Sequence, residues 1–261
     1  MVEVPVDGAG RLDVDALAGL LPEDAALVHC QWGNHEVGTL QPVEEVVALC
    51  RERGVPVHVD AAQAAGHVPI EFDRLGADLM SVSAHKLGGP PGAGALLVRR
   101  GLRLAPFIVG GDQERARRAG MENVPALVGF GAAAAAIDTA ADAERYLRQT
   151  ATVLAGMSSM AGVRVYGDVE RRLPHIVCVG VDGVEAEAVL LGLDQAGVAA
   201  HSGSSCSSES LEPSPVLQAM GVDADHSLRI SVGWSTTDDD VDACLRALPV
   251  VIDRLRSLSS T

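Results

Sequence analysis

Three short segments carry residue types that can do chemistry. The first is Asp60, which closes the apolar run VPVHVD and is followed by Ala61, Ala62 and Gln63. A carboxylate at a strand end can ligate a metal, cap the next turn or pair with a cationic ring. The second is SAHK, residues 83–86. A lysine beside histidine and serine, under an apolar strand, suits covalent condensation with a carbonyl or contact with a phosphate. Lys86 is also the only lysine, since nineteen of the twenty basic residues are arginine. Arginine replaces lysine on a solvated face, but its guanidinium stays protonated and cannot act as a neutral amine. The third is HSGSSCSSES, residues 201–210, where Gly203 and small hydroxyl residues surround Cys206. Such a segment is either an ordinary polar loop with an incidental cysteine or a carrier for a reactive thiol.

These residues need strands to hold them. Apolar runs ALVHCQ, VPVHVD, DLMSVSAH and GALLVR alternate with helical stretches such as DVDALAGLL, with Asp13 as its cap, and VEEVVALCRERG, stopped by Gly54. That alternation predicts βαβ units and a mainly parallel sheet, with chemistry at the carboxyl ends of its strands. From Val124 to about Leu154 the pattern turns helical and alanine-rich, and one long helix is expected to bridge to the C-terminal part of the chain. The later runs VRVYG, HIVCVGV, VAAHSG and LRISVG, with helices around EAEAVLLGLDQAG and DDDVDACLRALPVVIDRL, lack strict alternation and read as a smaller α+β unit. The expected division is 1–142 and 143–261. Pro249 should kink or interrupt the last helix.

Composition narrows the function classes. The 261 residues are 48% hydrophobic, enough for a real core, and carry a net charge of −15. That charge argues against nucleic acid as a partner, which needs a basic field. The five cysteines, Cys30, Cys50, Cys178, Cys206 and Cys244, are odd in number and lack metal-ligand spacing, a pattern of reducing compartments. No secretory signal or membrane span is visible, so a cytoplasmic location is the expectation.

In combination, GNHEVGT, HVDAAQ, SAHKLGGPPGAG, GGDQERARRAGMENVP, HSGSSCSS and LRISVG resemble the cysteine desulfurases of the class V aminotransferase group. The likeness runs in order along essentially the whole chain. It implies the fold of the fold-type I pyridoxal-phosphate enzymes, with an incomplete large domain and a smaller C-terminal one. It implies that Lys86 binds pyridoxal 5'-phosphate covalently, that Asp60 pairs with the pyridinium nitrogen, and that Gln63 bonds the phenolic oxygen. By the same resemblance Asn34 lies near the ring and the substrate, and Ser83 and His85 contact the phosphate. Arg229 holds the substrate carboxylate through its planar fork. Cys206 takes the sulfur of L-cysteine, leaving alanine and an enzyme persulfide for a sulfur-acceptor protein, and a homodimer is expected.

The match has departures. Family chains begin well before the point that matches Met1, and the resemblance places the main phosphate cup and a ring-stacking histidine in that earlier segment. Met121 stands where the family usually has a threonine, and Trp234 where relatives often carry arginine. His29 and His58 fall within strands and read as core or near-core side chains, while His201 and His226 suit loops or the site margin. Two alternatives therefore stay open: a related pyridoxal-phosphate lyase or aminotransferase in which Cys206 carries no sulfur, and a non-catalytic remnant acting as a binding or assembly module.

Overall fold

The structure, a computed structural model, describes residues 1–202 and 214–259. Cys206 and most of its loop lie outside the described residues. After helix α1 (Val14–Leu20) come strand β1 (Val28–Gln31), helix α2 (Val43–Arg53), β2 (Val57–Asp60), the short α3 (Phe72–Leu75), β3 (Leu79–Ser83) and β4 (Gly94–Val98). These strands form one sheet in the order β1-β2-β3-β4, with β1, β2 and β3 parallel and β4 antiparallel. Local signals explain the elements. Asp13 accepts from the Ala16 amide to start α1, and Gly54 ends α2 in the left-handed conformation. Val46, Val57, Val59, Met80, Cys30 and Cys50 are the buried centre of this layer.

The turn α4 (Gln113–Ala116) leads to α5 (Val124–Ala136) and α6 (Thr139–Ser158). The alanine-rich run is thus two helices bent by 74°, not the single one expected. Ile137 is extended, and the Asp138 carboxylate accepts from the Ala141 amide, so a cap restarts the helix there. No single helix among the described residues is long and apolar enough to cross a membrane. The boundary expected at residues 142/143 lies inside α6.

Beyond α6 stand β5 (Val163–Tyr166), β6 (Ile176–Val181), α7 (Ala186–Gln195), β7 (His201–Ser202), α8 (Pro215–Ala219), β8 (Ser227–Ser231) and α9 (Asp238–Ser259). The second sheet runs β5-β6-β8-β7 and is antiparallel throughout. Every residue of β6 is buried. Val177, Val179 and Val181 face the core to which α6, α7 and α9 contribute Val153, Met157, Val189, Leu193, Leu248 and Ile252, while Cys178 on the other face packs with Val37, Tyr166 and Leu217. The helix α9 continues through Pro249, at the cost of one ladder hydrogen bond.

The two sheets meet along a seam. Val37, from the loop after β1, packs with Tyr166, Cys178, Leu217 and Met220 of the second unit. Thr39 Oγ1 accepts from the Asp168 amide at 3.0 Å. Gly167 makes this approach possible: its φ is +88°, and a Cβ there would stand 2.5 Å from the Val37 carbonyl oxygen. A side chain meets both an unfavourable backbone conformation and a backbone wall. Gly167→Ala is therefore expected to destabilise the chain by about 2–4 kcal/mol, read as a lower urea midpoint; an unchanged midpoint would contradict the tight seam.

Candidate functional site

Parallel pairing brings three strand ends to one edge. Gln31 of β1 is in register with Asp60 of β2, and Asp60 with Ser81 of β3. Chain leaving these ends must turn sharply. After β2, residues 61–68 fold into a helical turn in which Ala64 and Ala65 both donate to the Ala61 carbonyl. Asp60 Oδ1 accepts from the Ala62 amide at 2.9 Å. After β3 the 3-10 turn Ala84–Leu87 carries His85 and Lys86, and it closes on Gly88 with a φ of +77°. Only glycine takes that conformation cheaply, so Gly88 fixes where the lysine stem leaves the turn.

These turns face the second sheet across a cleft of about 750 Å³, a size usual for a cofactor or small ligand. Gln63, His85, Lys86 and Arg229 line it, as do His35, His67, Tyr146, His175 and Trp234. Four of the residues singled out from sequence are thus brought together. Ser83 joins them through its side chain, which lies 2.8 Å from His85 Nδ1. Asp60, at the end of β2, is like Asn34 not a lining residue, but it bears electrostatically on His35 along with Lys86 and Arg229.

Asn34 is buried as well as absent from the cleft lining. Its Oδ1 accepts from the amides of Glu36 and Val37, and its Nδ2 donates to Gln31 Oε1. Its amide therefore shapes the loop after β1. That loop presents the His35 carbonyl to Arg229 Nη1 at 2.9 Å. Beside it, the Ser214 hydroxyl donates to Glu36 Oε2 at 2.5 Å. Burial raises the Glu36 pKa, against lowering by Ser214 and Arg229.

His35, His67, His175 and the pair Arg145 and Tyr146 were not singled out in the sequence. His67 and His175 stack with ring centroids 3.6 Å apart and planes at 22°, and the Arg145 guanidinium lies 4.7 Å from the Tyr146 centroid. The one available signal was position, since His35 and His67 stand inside or just after motifs already noted. His175, just before β6, carried none. The His175 pKa lies well below the ordinary 6.5, first through burial and then through His67, Lys86 and Arg229. Burial also lowers His35 and His67.

The other histidines divide. His29 is exposed and His58 half-buried, so His29 is no core residue; the two occupy matched positions on β1 and β2 and stack on the sheet's open face. His201 hydrogen-bonds the Ser202 carbonyl, and His226 pairs with Asp223 at 2.7 Å. Met121 and Trp234 are both largely exposed. Trp234 stands at the cleft wall, 3.7 Å from where a Gly88 Cβ would be.

Pyridoxal 5'-phosphate fits this donor set. The cleft lining offers one primary amine, an amide, an imidazole and a guanidinium, with the Asp60 carboxylate and the Ser83 hydroxyl at the adjoining strand ends. Two buried ring nitrogens, His35 Nε2 and His175 Nδ1, lack hydrogen-bond partners among the described residues. The described cysteines, Cys30, Cys50, Cys178 and Cys244, are all buried free thiols. Burial pushes Cys30 and Cys178 up to about 12 and Cys244 to about 11, which leaves almost no thiolate.

Comparisons with known proteins agree with this geometry. The family described as Aminotransferase class-V matches residues 1–244. A cysteine desulfurase of Trichormus azollae is 43% identical over 97% of this chain and 65% of its own length. A cysteine desulfurase of Archaeoglobus fulgidus is 41% identical over 98% of this chain and 68% of its own. The chain thus spans about two thirds of the length of the curated relatives it matches. Among solved structures, a NifS-like protein from Rickettsia africae superposes with a TM-score of 0.88 at 29% identity, covering 96% of this chain and 69% of that one. SspA, solved in complex with cysteine, gives 0.75 at 27% identity over 89% of this chain and 65% of its own.

The histidines whose pKa the fold lowers make stability depend on pH with a definite sign. His35, His58, His67 and His175 all have folded pKa values below 6.5. The unfolded chain therefore binds more protons in that window, and their contribution is present above pH 6.5 and lost as pH falls. Glu36, shifted upward, acts in the opposite sense as pH rises through its own window from 4.5. The urea midpoint should fall between about pH 7 and about pH 5, and less steeply in His175→Phe. Identical slopes in the two proteins would mean that His175 is not held neutral.

Proposed function

This chain belongs to the aminotransferase class-V family, and we propose that it is a pyridoxal-phosphate-dependent cysteine desulfurase, converting L-cysteine to L-alanine and passing the sulfur onward. The observation that carries the reading is that the chain's only lysine lines one cleft together with Gln63 and Arg229. Identities of about 40% to curated cysteine desulfurases support the substrate.

When bound, the cofactor supplies an electron sink that weakens bonds next to the amino acid's α-carbon. The chain's own residues do the rest. Lys86 holds the cofactor through its amine and moves protons at the α-carbon. Asp60 keeps the ring nitrogen protonated. Gln63 donates to the phenolic oxygen, and Ser83 and His85 hold the phosphate. Arg229 orients the substrate carboxylate with a forked pair of donors. Asn34 contributes by holding the loop that sets Arg229 in place.

Sulfur leaves through Cys206. Its thiolate attacks the sulfur of cysteine, a sulfur–sulfur bond forms, and the carbon–sulfur bond breaks. The electron pair stays with the carbon skeleton, which takes up a proton to become alanine. Two features favour Cys206: the four described cysteines are buried and held protonated, and its SGSSCSS segment is polar and small. A reductant or an acceptor protein then discharges the persulfide. A homodimer in the cytoplasm completes the reading. The apolar side of α5, where Val124, Leu127 and Val128 stand exposed, supports the dimer.

Purified chain mixed with pyridoxal phosphate should develop a visible absorption band that Lys86→Ala abolishes. Cysteine plus a reductant should then yield alanine and sulfide. Cys206→Ala should keep the band and lose at least about 10²-fold in sulfide release, as expected when a nucleophile is removed. A band unchanged in Lys86→Ala refutes the cofactor site, and full activity in Cys206→Ala refutes the sulfur carrier.

A further inference from the structure

A primary amide has two ends of nearly equal shape, and only its partners decide which end faces a ligand. Gln63 has one such partner from the other sheet. Its Oε1 lies 3.4 Å from Nε2 of His175, 112 residues away in sequence. Gln63 borders the cleft, as does His175.

We propose that His175 is a positioning residue: its Nε2–H donates to Gln63 Oε1, which turns the Gln63 amide nitrogen into the cleft as a hydrogen-bond donor. That this donor meets the phenolic oxygen of the cofactor rests on the function proposed above; the orientation itself does not.

Three arrangements are conceivable, and the surroundings separate them. With the proton on Nε2, the other nitrogen, Nδ1, is a bare acceptor. With the proton on Nδ1, the glutamine must flip, and Nδ1–H becomes a buried donor. Nδ1 is buried and has no hydrogen-bond partner among the described residues. An orphaned N–H is rarer in folded proteins than an under-used acceptor, so the first arrangement wins. The imidazolium would carry that orphaned donor plus a charge. His175 is only 6% exposed, and Lys86, Arg229 and His67 all bear on it as cationic or potentially cationic neighbours.

The ring cannot readily turn away. His67 stacks on it at 3.6 Å, and Tyr146 meets it edge-on at 6.3 Å. His67 is itself fixed, with Nδ1 3.2 Å from the Ala65 carbonyl oxygen, to which it can donate. Among the described residues, the Asp142 carboxylate bears on His67, while Lys86 opposes it. Gln63 and His67 share the turn after β2, so one turn supplies both the amide and the ring that clamps its partner.

Two measurements test this on the full chain. In protein carrying 15N-histidine and no cofactor, a long-range 15N–1H correlation reads each tautomer. The signal missing in His175→Phe should show a protonated Nε2 and a bare Nδ1, unchanged from about pH 6 to about pH 8. An Nδ1–H tautomer, or an imidazolium in that range, overturns the proposal. The second measurement is pyridoxal phosphate affinity. His175→Phe keeps a ring against His67 but has no donor, and it should bind about tenfold more weakly. His175→Gln restores a donor at similar reach and should recover most of the loss. Equal affinity in His175→Phe and the parent overturns the positioning role. Failure of all three proteins to bind would instead overturn the proposed function, and the tautomer spectrum would still decide the orientation.

Discussion

The Arg229 guanidinium reaches from the antiparallel sheet to the parallel one and donates to the His35 carbonyl at 2.9 Å. That crossing joins the two walls of the cleft, which His35 and Arg229 both line. A hydrogen bond from a charged donor is worth about 1.5–3 kcal/mol, more than an average neutral one. The half-buried charge has Glu36 as an opposite neighbour, and Glu36 is tied in turn to Ser214. The loop after β1 is held from within by Asn34 and from across the seam by Arg229 and Ser214. With that loop fixed, the ends of β1, β2 and β3 face a wall at a set distance. The cleft lies between these two walls, whose seam is also held by the Val37 cluster and the Thr39–Asp168 bond.

Much of this architecture was legible in the residues. Strand-length apolar runs ending in Asp60 and Ser83 place both residues at the carboxyl edge of a parallel sheet, because parallel neighbours share direction. The lone lysine, in the segment closing the run that became β3, stands in the turn directly after that strand. The caps at Asp13 and Gly54 worked as their local chemistry dictates.

Part of the rest depends on tertiary contacts, and part on local bonds that a motif does not display. Nothing near His175 indicates that it will stack on His67, since the two meet only after both sheets have formed. Asn34 looked like a cleft residue from its motif, yet nearby backbone amides engage its side chain first. Short polar side chains in turns commonly bond their own backbone, and that local competition is hard to read from a motif. His29 belongs with these cases, because periodicity says that a strand residue faces one side but not whether that side is covered. The break at Ile137 was instead a local signal overshadowed by composition: Asp138 is a good cap inside an alanine-rich run.

Because both sheets build the cleft walls, whatever fills it also bridges them. Gln63 and Lys86 come from one sheet, and His175 and Arg229 from the other. A ligand touching all four binds only while the seam is closed, so its binding energy is also cohesion between the layers. At a free concentration about one hundred times its dissociation constant, such a ligand adds about 2.7 kcal/mol to folding stability. Occupancy and rigidity are then two readings of one equilibrium, and the proportion of chains holding ligand also governs how often the two halves part.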